Sequence, residues 1–105
     1  MKNIGELMAK AHQVQSQMTI LQSKMEELEF EGVAGNGLVK VVLTGRGYGV
    51  KTQIDEKALA DKETLEDLMT VAITDARTKA ETYLTTEMEK MQKNLGLPPG
   101  FKLPF

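Results

Sequence analysis

The sequence GNGLVKVVLTGRGYGVKTQI, residues 35–54, decides the fold of this chain because its hydrophobic residues alternate with a period of two. Residues 38–44 and 50–54 each have the pattern of a strand whose alternate side chains share one face. The glycine-rich segments before and between them have the composition of tight turns. Together with a short strand at residues 30–33, they predict a three-stranded antiparallel sheet over about residues 30–55.

On both sides of this sheet, hydrophobic residues recur every three or four positions, as they do along one face of an α-helix. The N-terminal pattern predicts a helix over about residues 3–28 with a seam of four heptads. The C-terminal pattern predicts a helix over about residues 62–95, capped by Asp61. Residues 96–105 contain three prolines, which predicts an extended tail. The sequence therefore predicts one α+β domain over residues 1–105.

The heptad seam of the first helix predicts a homodimer. Such a helix is roughly 39 Å long at 1.5 Å per residue, more than the rest of a small chain is expected to cover. Small residues on the second helix also leave room for a close neighbour, such as the same helix of a second copy. The candidate dimer contacts are Leu7, Val14, Met18, Leu21, Ala72, Ala76 and Ala80.

The composition argues against several classes of function. The chain has no cysteine, so it forms no disulfide and has no thiolate chemistry. His12 is the only histidine, and one imidazole does not make a metal site. No long apolar run suggests a signal peptide or a membrane span. We expect a cytoplasmic protein that is not an enzyme and has no cofactor, metal, membrane contact or small-molecule substrate.

The charge of the chain is unevenly distributed. The net charge of -2 argues against a polyanion as partner, but residues 32–54 contain no acidic residue. Candidate phosphate contacts are Lys2, Lys10, Lys90 and Lys93 on the helices, and Lys40, Arg46 and Lys51 on the sheet. An alternative role for helix lysines is the surface ion pair between residues four apart, for which the candidates are Glu6 with Lys10, Asp75 with Lys79, and Glu89 with Lys93.

Several motifs occur in a distinctive order along the chain. After the heptad helix come Glu31-Gly32, GNGLVKV at residues 35–41, Ile54-Asp55, LEDL at residues 65–68, and LPPGFKLPF at residues 97–105. In this order they resemble the YbaB/EbfC family of bacterial nucleoid-associated proteins over essentially the whole chain. The resemblance implies a small α+β homodimer, with helices projecting from a central sheet, that binds DNA and associates with the nucleoid in the bacterial cytoplasm. It supplies no compact motif for DNA contact, so the candidate contacts depend on charge and shape.

Two functional interpretations remain at this point. So few basic residues predict weak, salt-sensitive binding of duplex DNA with little sequence specificity, with effects on nucleoid organisation or gene expression. The alternative is a protein-interaction scaffold that uses the heptad helix and the apolar tail, which accounts better for the acidic pI of about 5.4. The tail either docks in a groove of its own dimer or recruits another protein as an exposed extended motif.

Overall fold

The computed structural model describes residues 4–96 and has an α+β fold. In chain order, its helices and strands are α1 (Ile4–Glu27), β1 (Glu29–Ala34), β2 (Val39–Thr44), β3 (Gly49–Ile54) and α2 (Lys62–Asn94). The molecule is elongated, with extents of 68 × 23 × 17 Å. The predicted fold class is confirmed. Lys2 and the tail at residues 97–105 lie outside the described residues, so their predicted roles stay predictions.

The three strands form an antiparallel sheet in the order β1-β2-β3. Between β1 and β2 the backbone has positive φ at three consecutive residues, Gly35, Asn36 and Gly37, with values of 61°, 55° and 95°. Glycine and asparagine tolerate this conformation best, which explains why the turn forms at this point. A bulge at Val42 and Leu43 shifts the register between β2 and β3.

One face of the sheet packs against α2. Alternate residues of β2 are buried in this contact: Val39, Val41 and Leu43. On α2, Ala72 and Ala76 are fully buried, and Gly32 of β1 lies against them. A Cβ atom at Gly32 would lie only 2.6 Å from the backbone nitrogen of Ala76. This corrects the interpretation of the two alanines as dimer contacts, because the close neighbour for which they leave room is the chain's own sheet.

A second core lies between the two helices, beyond the sheet. It contains four residues of α1 and two of α2: Val14, Met18, Leu21, Met25, Ala80 and Met91. Val14, Met18, Leu21 and Ala80 are therefore covered within the chain, which corrects their assignment as contacts to a second copy. Of the seven dimer candidates only Leu7 remains exposed, at 50% of its surface.

The ends of α2 follow from its sequence. Asp61 accepts hydrogen bonds from the backbone nitrogen of Glu63 at 3.1 Å and from Thr64 Oγ1 at 2.8 Å. The hydrogen bond from Thr64, followed by that from Glu63, lowers the pKa of Asp61. Gly96, with φ of 67°, follows the last turn and terminates the helix.

Candidate nucleic-acid interface

Beyond the sheet, α1 and α2 run antiparallel and form what we call the helical arm, residues 4–27 and 80–96. The chain enters the sheet from the end of α1, whereas α2 leaves the sheet after Ala76. At the base of the arm, the rings of Phe30 and Tyr83 are 5.7 Å apart. Farther out, residues 17–24 of α1 and 87–94 of α2 line a shared groove of about 220 Å³. In this antiparallel arrangement Gln17 lies level with Asn94.

Two lysines line the groove of the helical arm, Lys24 and Lys90, and helix spacing places Lys10 and Lys93 next to them. We call these four the arm lysines. Lys10, Gln17 and Lys24 are spaced by seven residues, so they lie along one side of α1. Gln17 and Lys24 line the groove together with Lys90 of α2. Lys93 is three residues after Lys90 and therefore occupies a neighbouring position on the surface of α2. Sequence reasoning missed Lys24, although its heptad spacing from Lys10 was visible.

The arm lysines are only weakly engaged by carboxylates of the chain. Lys90 Nζ lies 3.2 Å from Glu87 Oε2, and the Lys90 side chain remains 67% exposed. Among residues 4–96, neither Lys10 nor Lys93 forms an ion pair with the glutamate four residues before it. An exposed ion pair contributes only about 0–1 kcal/mol, so a phosphate group can replace Glu87 at little cost.

The three basic residues of the sheet region do not form one patch. Lys40 lies opposite Gln53, and Lys51 lies opposite Val42, so the two lysines share the sheet face that points away from α2. The β1 part of this face carries two carboxylates, those of Glu29 and Glu31. Arg46 lies in the turn after β2, with Nη1 2.9 Å from Glu26 Oε1 of α1. The sheet thus offers two cations beside two acidic residues, a weaker anion site than the arm.

Two side chains of α2 occupy the free edge of β1. Asp75 Oδ2 accepts a hydrogen bond of 2.9 Å from the backbone nitrogen of Val33. Lys79 Nζ donates to the backbone oxygen of Glu31 at 2.7 Å and lies 3.1 Å from Asp75 Oδ2. Of the three predicted ion pairs, all of which lie within residues 4–96, only this one forms. The hydrogen bond from Val33, and then that from Lys79, lowers the pKa of Asp75. This edge of the sheet is therefore closed to a further strand.

Residues 1–95 match the model of the YbaB/EbfC DNA-binding family. The chain belongs to this family. Nucleoid-associated proteins of Granulibacter bethesdensis and Paramagnetospirillum magneticum are 46% and 47% identical to this YbaB/EbfC protein over the full length of both chains. A third, from Rhodospirillum centenum, is 42% identical over the same extent. The family resemblance inferred from the sequence motifs is confirmed.

The fold of this YbaB/EbfC protein also occurs in a solved structure, that of uncharacterized protein HP0035 from Helicobacter pylori. The two structures superpose with a TM-score of 0.73 over 87% of this chain and 98% of the other, at 23% sequence identity. At this identity the likeness establishes the shared fold.

The YbaB/EbfC protein leaves part of its sheet uncovered, on β3. By cross-strand pairing, Ile54 shares a face with the buried Val39, yet it is 41% exposed. Val50 alternates with it on β3 and is 47% exposed. Ile73 of α2 is also 41% exposed. Arg77, one turn after it, has its guanidinium against Gly47 in the turn before β3, so this side of α2 faces β3. Val50, Ile54 and Ile73 together are called the β3 apolar surface below.

Metal-ligand groups, buried polar side chains and membrane-spanning helices are all absent from residues 4–96 of the YbaB/EbfC protein. Residues 4–96 contain no group of three or more His, Cys, Asp or Glu side chains placed to hold a metal ion. None of the polar or charged side chains in this range is buried. No helix within it is long and apolar enough to cross a membrane.

Proposed function

We propose that this YbaB/EbfC protein binds double-stranded DNA as a homodimer through the phosphate backbone, with little sequence specificity, and associates with the nucleoid in the bacterial cytoplasm. The family assignment and the names of the relatives support DNA as the ligand. The observation that carries the proposal is the grouping of the arm lysines on one flank of a projecting pair of helices. Through this binding we expect an effect on nucleoid organisation or gene expression.

The chemistry of the arm lysines accounts for the expected mode of binding. An ammonium group contacts a phosphate as a point charge, and each contact releases condensed counterions from the DNA. Lysines on an exposed helix flank do not supply the paired hydrogen bonds that distinguish one base from another. Binding is therefore weak, salt-dependent and similar on different sequences. A dimer doubles the number of contacts that each binding event makes.

The test of this function is fluorescence anisotropy with labelled duplexes of several unrelated sequences. We expect all duplexes to bind with similar affinity, and the logarithm of the binding constant to fall linearly with the logarithm of salt concentration. A strong preference for one duplex would contradict the phosphate-contact model. If no duplex binds even at low salt, the interaction-scaffold alternative replaces DNA binding.

For the homodimer, we propose the β3 apolar surface as the contact between copies. The β1 edge is closed by Asp75 and Lys79, whereas β3 is an edge strand with an uncovered inner face. Apolar side chains that continue the face of a buried core but remain exposed are typical of an interface. In a two-fold dimer the same surface of the second copy supplies the missing cover.

Replacement of Ile73 with lysine is expected to convert the dimer to a monomer. The substitution places a charge in the apolar contact, where it loses hydration without gaining a partner. Sedimentation at micromolar concentration measures the result. Val71→Lys is the matched control, because Val71 is 54% exposed on the same helix but lies outside the proposed contact. It is one turn before Asp75, which faces β1. If both variants stay dimeric, or if the unmodified protein is a monomer, this interface is wrong.

A further inference from the structure

An apolar stripe on α1 extends past the end of α2 and is left uncovered. The seam residues Val14, Met18, Leu21 and Met25 are buried against α2. The next positions toward the N-terminus, Ala11, Leu7 and Ile4, continue the same stripe but are exposed. Ile4 is 73% exposed, Leu7 50%, and Met8 beside them 67%. We call Ile4, Leu7, Met8 and Ala11 the outer seam.

The reason for this exposure is the unequal reach of the two helices. Gln17 is level with Asn94, the last residue of α2. Ile4 lies 13 residues before Gln17, so α1 projects about 20 Å past the end of α2 at 1.5 Å per residue. The chain leaves α2 beside the first exposed turns of α1, and the nine residues that follow Gly96 carry four large apolar side chains: Leu97, Phe101, Leu103 and Phe105.

We propose that residues 97–105 of the same chain fold back along α1 and cover the outer seam. The length of the segment suits this path. Leu7 lies about 15 Å beyond Gln17 along the helix axis. Leu95 and Gly96 form the turn that ends α2, so the extended path begins at Gly96. From Gly96 to Phe101 an extended chain spans about 16 Å, which matches the distance to the level of Leu7.

The composition of the tail and of the outer seam supports the contact. Large exposed apolar residues that continue a buried seam are a typical docking surface, and the tail offers side chains of matching character. Its three prolines restrict the backbone before docking, so less conformational entropy is lost on binding than for a flexible segment. The docked segment takes the position that a longer α2 would occupy, and completes the second core.

Docking of the tail leaves the arm lysines free. Lys10 lies on the same side of α1 as Gln17 and Lys24, in the groove flank, whereas Leu7 and Ala11 continue the buried seam. The tail therefore stabilises the outer part of α1 without competing with phosphate contacts. The proposal does not depend on DNA binding, and the two are tested separately.

Disulfide formation in the full chain tests this contact, because the protein has no cysteine of its own. Gly100→Cys, whose level on the proposed path lies close to both positions, is combined with Ala11→Cys in the outer seam, or with Ala9→Cys as the matched control. Both alanines are exposed and nearly level, but they are about 160° apart around the helix. Under mild oxidation we expect the Ala11 pair to form a disulfide within one chain at least about tenfold faster than the Ala9 pair.

Two outcomes of this experiment overturn the proposal. Equal rates for the two pairs would mean that the tail does not dock on the outer seam. A disulfide between chains, seen as a product of twice the mass, would mean that a second copy covers the seam instead.

A second measurement avoids introduced cysteines. Replacement of Phe101 and Leu103 by serine is expected to speed amide hydrogen exchange in residues 4–13 at least about tenfold, because uncovered helix ends open more readily. Exchange in residues 72–76, beneath the sheet, serves as the internal reference. An unchanged rate in residues 4–13 would contradict the proposed contact.

Discussion

Gly32→Val is expected to destabilise the protein more than any other single substitution considered. A Cβ atom at this position would collide with the backbone oxygen of Ala72 and lie 2.6 Å from the backbone nitrogen of Ala76. Both are main-chain atoms in the middle of a 33-residue helix, so they cannot move aside as a flexible side chain does. The sheet and α2 must separate, which loses contact across the whole core between them.

The expected loss in the free energy of unfolding exceeds about 3 kcal/mol, at the upper end of the range for overpacked cores. For a domain of this size the melting temperature falls by more than about 12 °C. Urea and thermal denaturation followed by circular dichroism, at matched protein concentration, measure both quantities. Gly49→Ala is the control, because no heavy atom lies within 4 Å of a Cβ there. If both variants unfold alike, the packing of β1 on α2 is wrong.

The second large effect is expected for DNA binding when two arm lysines are neutralised. The variant combines Lys10→Gln with Lys93→Gln, two of the three arm lysines that form no ion pair among residues 4–96. In a dimer this removes four phosphate contacts, so the salt slope becomes shallower by about 3.6 units. At low salt the affinity for duplex DNA falls by about 100-fold or more, to a similar extent on unrelated sequences.

The matched control removes the same charge from the sheet, by Lys40→Gln with Lys51→Gln. These side chains share the face that also carries Glu29 and Glu31, so we expect little change in affinity or slope. Anisotropy titrations of both variants over the same salt series compare the two surfaces directly. A loss confined to the sheet variant would move the DNA contact from the arm to the sheet.

The fold of this protein was largely predictable because its local signals agree with one another. The period-two alternation of residues 38–44, the glycines around Asn36 and the cap at Asp61 each specify a conformation within a few residues of themselves. Such signals depend on backbone preference and on which side chains share a face. They therefore hold before any partner element is known.

The candidate interface was less predictable. Lys10, Lys90 and Lys93 were predicted from charge, but the position of Lys24 beside Lys90 depends on how α1 and α2 pack. The role of Arg46 could not be read from its glycine-rich turn, because its partner Glu26 lies 20 residues away. Charge composition identifies cations, whereas their grouping depends on contacts between distant segments.

By itself, the sequence determined the helices, the strands, the turns and the family of this protein. The tertiary structure decided what covers each apolar face. The heptad seam and the small residues of α2 require a close neighbour, but the hydrophobic effect depends on area and not on the identity of the partner. The chain's own sheet and helix supply that neighbour for Ala72, Ala76 and Met18, and the shorter reach of α2 leaves Leu7 exposed.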